Sequence, residues 1–323
     1  MSLISNIRLV RRGLILLVIF NSCYLTKAQQ TPLNPLSYWV FTPYIYNPAM
    51  VGSKDFLSID FNGSFQGNAN ALILSGSTRL SKTNPGYFSS PKIKEFNSIG
   101  IGGSVFNDIN GSSHNIGISA AGSYQIPLST RELSFLSFGA SVKGVYNILD
   151  PGTVESDLPV KKTFYPNLDV GIYYFGTSFF SGLSAVNVLG NPEKTQGQGL
   201  YRIPVSRQYF FTAGYKFLLS KSMNVVFEPS VLIDVYDSTL KEIEKHISPI
   251  VKLYMDNFCL GSYFLNYDNT SFFFQYRYPK FYIGAFYELP RKTAFYKKKP
   301  IVELTFGLNI QIDKSRFSKR SHW

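Results

Sequence analysis

Three histidines, two cysteines and a modest set of carboxylates are the side chains of this chain suited to metal or acid-base chemistry. His114, His246 and His322 stand far apart, so their spacing forms neither a metal-ligand set nor a His-centred triad. The sequence has no Gly-x-Ser-x-Gly elbow, no Walker-type loop and no Cys-x-x-Cys pair. Gly100-Ile101-Gly102-Gly103 lies inside an alternating segment with no helix after it. That context suits close packing or bending of a β-wall and not the cradling of a phosphate. Glu228, Asp234 and Glu303 alternate with apolar residues, so they are expected to line a polar interior rather than to move protons. The expectation is a non-enzyme with no cofactor and no bound metal.

The elements that must carry these residues are strands. At 302 to 312, Val302, Leu304, Phe306, Leu308, Ile310 and Ile312 fall on one face and Glu303, Thr305, Gly307, Asn309 and Gln311 on the other. Segment 225 to 235 sets Val225, Phe227, Val231, Ile233 and Val235 against Glu228, Ser230 and Asp234. Segment 116 to 126 sets Ile116, Ile118, Tyr124 and Ile126 against Ser119, Ser123 and Gln125. One face suits lipid and the other a wet lumen.

The leader decides which solvent these strands meet. Arg8, Arg11 and Arg12, the apolar run Gly13 to Phe20 and Thr26-Lys27-Ala28 read as a secretory signal, cleaved near Ala28. The apolar run is too short to span a bilayer as a helix, and every later run is interrupted. A lipoprotein signal ending at Cys23 is a second reading, although Phe20-Asn21-Ser22 lacks the usual leucine. If the mature chain is a membrane protein it must be a closed barrel, because hydrocarbon offers no partner to unpaired backbone groups.

Composition agrees. Aromatic residues make up 16% of the chain and charged residues only 16%, against the roughly 25% of soluble domains. Cys23 would leave with the signal, so Cys259 would remain without an intramolecular partner. The fold class expected is an all-β transmembrane antiparallel barrel of about fourteen strands, near 54–66, 70–81, 96–107, 113–126, 132–147, 165–176, 178–188, 207–219, 222–236, 243–255, 257–267, 270–278, 280–289 and 300–312. A soluble β-sandwich, single or in tandem, is the competing architecture.

The connections follow a barrel's asymmetry. Links after even strands are short, at 127–131, 177, 220–221, 256 and 279, whereas 148–164, 189–206 and 290–299 are long. The exception, 82–95, is a long link on the expected periplasmic side and a candidate docking loop or a tolerated insertion. The chain organisation is then a signal at 1–28, an N-terminal periplasmic lead-in at 29–53, a barrel at 54–313 and a basic tail at 314–323.

Net charge is +12, and loss of Arg8, Arg11, Arg12 and Lys27 with the signal leaves +8. The cations are scattered through loops and turns, which argues against a nucleic-acid partner. The densest group, Arg291, Lys292, Lys297, Lys298 and Lys299, lies in an expected outer loop. There it would meet lipopolysaccharide phosphates or an acidic partner, or simply be solvated.

Between the signal and the first strand lies Pro43-Tyr44-Ile45-Tyr46-Asn47-Pro48-Ala49-Met50-Val51-Gly52-Ser53. Pro48 fixes a turn and Gly52 permits a backbone angle that other residues avoid, so a structural plug or turn at the periplasmic mouth is one reading. The motif Asn47-Pro48-Ala49-x-x-Gly52, with the signal before it and the closing Gly307-Leu308-Asn309 strand, resembles the PorP/SprF family of type IX secretion in Bacteroidota. The basic tail ending at Trp323 departs from the pattern, because it separates the terminal aromatic from the last strand. The resemblance implies an outer-membrane component without catalysis, with translocon components and secreted cargo bearing a C-terminal sorting domain as partners. It implies a role in exporting that cargo or anchoring it at the surface, gliding adhesins among them. A transport barrel for small or hydrophobic solutes is the alternative, motivated by Glu303, Asn309, Gln311 and Ser230.

Overall fold

The structure is a computed structural model that describes residues 37–54, 56–66, 69–81, 98–111, 113–129, 134–149, 160–190, 207–265, 269–290 and 300–310. Strands β1 (Leu57–Gln66), β2 (Ala69–Ser81), β3 (Ser98–Asn110), β4 (Ser113–Ser129), β5 (Ser134–Leu149), β6 (Lys161–Phe175) and β7 (Phe179–Val186) form the first half. Strand β8 runs in two segments, Gln208–Tyr215 and Phe217–Ser220. Strands β9 (Val225–Tyr236), β10 (Ile247–Met255), β11 (Phe258–Leu265), β12 (Asn269–Tyr278), β13 (Phe281–Pro290) and β14 (Ile301–Ile310) complete the wall. Neighbours pair antiparallel throughout, and β1 closes on β14 with Leu57 opposite Ile310 and Phe65 opposite Val302. The result is a closed barrel of fourteen strands. Closure leaves no free sheet edge, which is what lets the backbone sit in hydrocarbon.

Alternation is physical as well as sequential. Along β14, Val302, Leu304, Phe306, Leu308 and Ile310 are exposed, while Glu303, Thr305 and Gly307 are buried. Around the wall Leu74, Ile118, Val142, Phe164, Leu183 and Phe272 continue this outward apolar belt. A belt of that extent has no partner but lipid. No helix among the described residues is long and apolar enough to cross a membrane, so the crossing falls to the strands.

Two of the expected strands differ in detail. The segment 243–255 starts at Ile247, because Asp237–His246 is a 3-10 turn. The Thr239 hydroxyl accepts from the Tyr236 N–H at 2.9 Å and ends the ladder there, and Lys245 pairs with Glu242 at 3.0 Å within the turn. Segment 207–219 is interrupted at Lys216, whose N–H bonds the Ser178 carbonyl across the neighbouring turn.

We call the end where β1 begins and β14 finishes the near end. Its links 176–178, 221–224, 256–257 and 279–280 are tight, and Asn224 and Asp256 take the positive φ that such turns demand. At the opposite, far end β5, β7 and β13 finish and β6, β8 and β14 begin, and the Asp237–His246 turn joins β9 to β10. Residues 1–36, 82–97, 191–206, 291–299 and 311–323 are outside the described residues, and with them the signal, the candidate docking loop and the basic tail.

Candidate functional site

Asn47, Pro48, Ala49 and Gly52 lie within the barrel. Residues 37–53, the described part of the segment read as a lead-in, fill the lumen with a short helix α1 (Ser37–Phe41) and two 3-10 turns, Pro43–Ile45 and Pro48–Met50. The second turn is built by the motif itself. The Asn47 side chain caps it by accepting from the Ala49 N–H at 3.0 Å, and Pro48 takes the first position, where a missing N–H costs nothing. The Asn47 amide then reaches across to the Ile172 and Leu183 carbonyls of β6 and β7 at 3.3 and 3.4 Å.

The wall answers with its own polar side chains. Ser137 of β5 donates to the Ala49 carbonyl at 2.6 Å, and Ser123 and Gln125 of β4 donate to the Val51 carbonyl at 2.7 and 3.2 Å. Arg79 of β2 holds the exit of the segment, with Nε on the Gly52 carbonyl at 2.7 Å and a terminal nitrogen on the Ser53 carbonyl at 2.9 Å. The carbonyls of Ala49, Val51, Gly52 and Ser53 thus find partners on the inward face of three strands, β2, β4 and β5. Gly52 has φ +68°, and its neighbour across the gap is Gly100, so the expected strand glycine serves to admit the plug backbone.

The upstream half packs by its aromatics. Trp39 stacks on Tyr46 with centroids 4.6 Å apart, and both meet Phe210 of β8. Phe41 sits against Tyr282 and Phe286 of β13, at 5.9 and 5.6 Å. Contacts therefore run from β13 round to β8 through residues of one short segment, which makes the lumen an occupied core rather than an open pore.

Charges on the inner wall are sorted by height. Asp108, Asp234, Glu288 and Glu303 face inward toward the far end, with Asp234 accepting from Gln208 at 2.7 Å and Glu303 from Ser64 at 3.1 Å. Toward the near end Glu228 accepts from Lys252 at 2.9 Å and from the Tyr254 hydroxyl at 3.3 Å. Midway, Asp169 is held by Lys143 at 2.9 Å, by Ser141 at 2.8 Å and by the Asn187 N–H at 2.8 Å. Glu228, Asp234 and Glu303 each line the interior beside polar partners. His114 bonds Asn107, His246 ends the 3-10 turn, and Cys259 is a buried free thiol. Among the described residues no group of histidine, cysteine and carboxylate side chains forms a metal site. Arg291, Lys292, Lys297, Lys298 and Lys299 fall outside the described residues.

The sequence matches the family described as type IX secretion system membrane protein PorP/SprF over residues 27–308. The chain belongs to this family. The match runs through the whole lumen segment and all but the last residues of β14, and it identifies the PorP/SprF protein as a membrane component of type IX secretion. A comparison with curated proteins finds no match. Among solved structures the PorP/SprF barrel is similar to the CymD monoaromatic hydrocarbon channel, with TM-score 0.42 and 10% identity over 83% of this chain and 92% of that one. It is also similar to the KdgM porin, with TM-score 0.38 and 9% identity over 78% and 98%, and to the β domain of the Bordetella autotransporter Brka, with TM-score 0.36 and 7% identity over 79% and 97%.

The resemblance to PorP/SprF drawn from Asn47, Pro48, Ala49 and Gly52 thus agrees with the family match. What sequence reasoning missed is how far the plug reaches. Tyr38, Phe41 and Tyr46 are buried, and nothing in a short stretch of aromatics ahead of the first strand distinguishes lumen packing from a surface lead-in. Arg79 was missed too, since a lone inward arginine near a strand end carries no local signature.

Proposed function

We propose that this protein is a non-catalytic outer-membrane component of type IX secretion that helps export, or hold at the cell surface, a specific cargo carrying a C-terminal sorting domain, such as a gliding adhesin. Membership of PorP/SprF over most of the chain is the observation that carries the reading. The occupied lumen supports it, because a barrel filled by its own residues 37–53 is built to be a rigid wall with partner-facing ends. In this account the signal is cleaved near Ala28, the near end faces the periplasm, and Asn47, Pro48, Ala49 and Gly52 are structural. Arg291, Lys292, Lys297, Lys298 and Lys299 then face outward toward lipopolysaccharide phosphates or an acidic partner.

Of the residues that motivate the transport alternative, Gln311 lies outside the described residues. Glu303 is 2% exposed and Ser230 and Asn309 are half-buried. Deleting the gene tests the proposal. Loss of surface display of one such cargo is the expected result, and unchanged display of every cargo would overturn it.

A further inference from the structure

Among the described residues, the inner wall of the near end carries more positive charge than its carboxylates match. Lys216 of the β8 interruption, Lys252 of β10, Arg277 of β12 and Lys54 just before β1 project to the lumen side, with Glu228 and Asp60 as the carboxylates among them. Lys252 is taken up by Glu228 at 2.9 Å, whereas Lys54 stands 3.9 Å from Asp60 and is more than a third exposed. Lys216 lies over the Phe180 ring at 6.0 Å, Arg277 over Tyr254 at 5.7 Å and Lys54 over Tyr282 at 5.5 Å. Arg277 directs its Nε to Gln275 and has no carboxylate at ion-pair distance among the described residues.

Register keeps the row together. Glu228 lies opposite Lys252 across β9 and β10, and Arg277 lies opposite Tyr282 across β12 and β13. From β8 to β12 the cations recur on alternate strands, a spread of roughly 20 Å at about 4.8 Å per strand. The inward acids Asp108, Asp234, Glu288 and Glu303 lie toward the opposite end, so the field along the lumen favours an anion entering from the near end.

We propose that the near-end mouth is a binding site for the carboxylates of an acidic polypeptide segment. Lipid headgroups meet the outside of the barrel, and the wall stands between them and these side chains. A single phosphate spans too little of the row to engage it. An extended acidic chain covers it, with the aromatic faces beneath the cations as a floor. The proposal does not rest on the secretion reading, because it is measured on the isolated barrel.

The test uses the mature protein purified in detergent and a fluorescent oligoglutamate peptide, with oligolysine as the charge control. The expected result is saturable binding that weakens as salt rises. In a Lys216→Gln, Arg277→Gln variant that binding should be roughly tenfold weaker. Lys216→Gln alone serves if the double variant fails to fold, with a smaller loss in the same direction. Absent binding, equal affinity in wild type and variant, or displacement of the peptide by an equal concentration of inorganic phosphate or of anionic vesicles would overturn it.

Discussion

Gly52 and Gly100 meet backbone to backbone: a Cβ on Gly52 would lie 2.5 Å from the Gly100 Cα, and one on Gly100 would collide with the Val51 carbonyl. The contact joins the end of the lumen segment to β3 and leaves room for no side chain on either partner. It ties the Asn47–Gly52 motif to a wall strand that sequence alone would not place beside it.

Gly100→Ala should therefore lower the unfolding free energy of the refolded barrel, read from urea titration, by about 2 kcal/mol, the cost of overpacking a closed contact. Gly111→Ala is the control. It has φ +58° and nothing within 4 Å, so it bears only the backbone strain of about 1 kcal/mol. Equal losses at both positions would show that the plug contact contributes nothing.

Asn47→Ala removes one acceptor and two donors from the plug at once. Roughly 1–3 kcal/mol of stability should be lost, because the Ala49 N–H and two strand carbonyls lose side-chain partners. The readout is equilibrium unfolding followed by the shift between folded and unfolded bands on cold gels.

How much of this was legible beforehand depends on what each element is made of. Strand β14 could be read residue by residue, since Leu304 faces lipid and Glu303 the interior, and hydrophobic alternation reports that division directly. The Asp237–His246 turn could not, because its short polar run leads directly into the apolar strand at Ile247 and the Thr239 hydroxyl that accepts from the Tyr236 N–H leaves no periodic signal. The motif Asn47-Pro48-Ala49-x-x-Gly52 announced a tight turn, but its grip on Ser123, Ser137 and Arg79 joins residues far apart in sequence. Long-range partners leave no local pattern to read.

Glu228 and Lys252 form a pair in which the carboxylate side chain is 3% and the ammonium side chain 14% exposed. Lys252→Met leaves Glu228 buried without its counter-ion and should cost about 3–5 kcal/mol. Adding Glu228→Gln should recover much of that loss, and a double variant as unstable as the single would argue against pairing. The same unfolding assay reads both.

On the lipid face, Leu304→Arg should cost roughly 2–4 kcal/mol in a bilayer, while the same change in detergent micelles should be milder. Leu304 is 53% exposed in the isolated chain, so a soluble β-protein would tolerate the arginine with little loss. Unfolding from lipid vesicles distinguishes the two.

Affinity purification of the tagged protein from gently solubilised outer membranes, followed by mass spectrometry of what remains bound, tests the secretion role most directly. The account predicts recovery of a type IX translocon component or of a large secreted cargo with a C-terminal sorting domain. Recovery of the barrel alone, joined to solute conductance in reconstituted membranes, would contradict it.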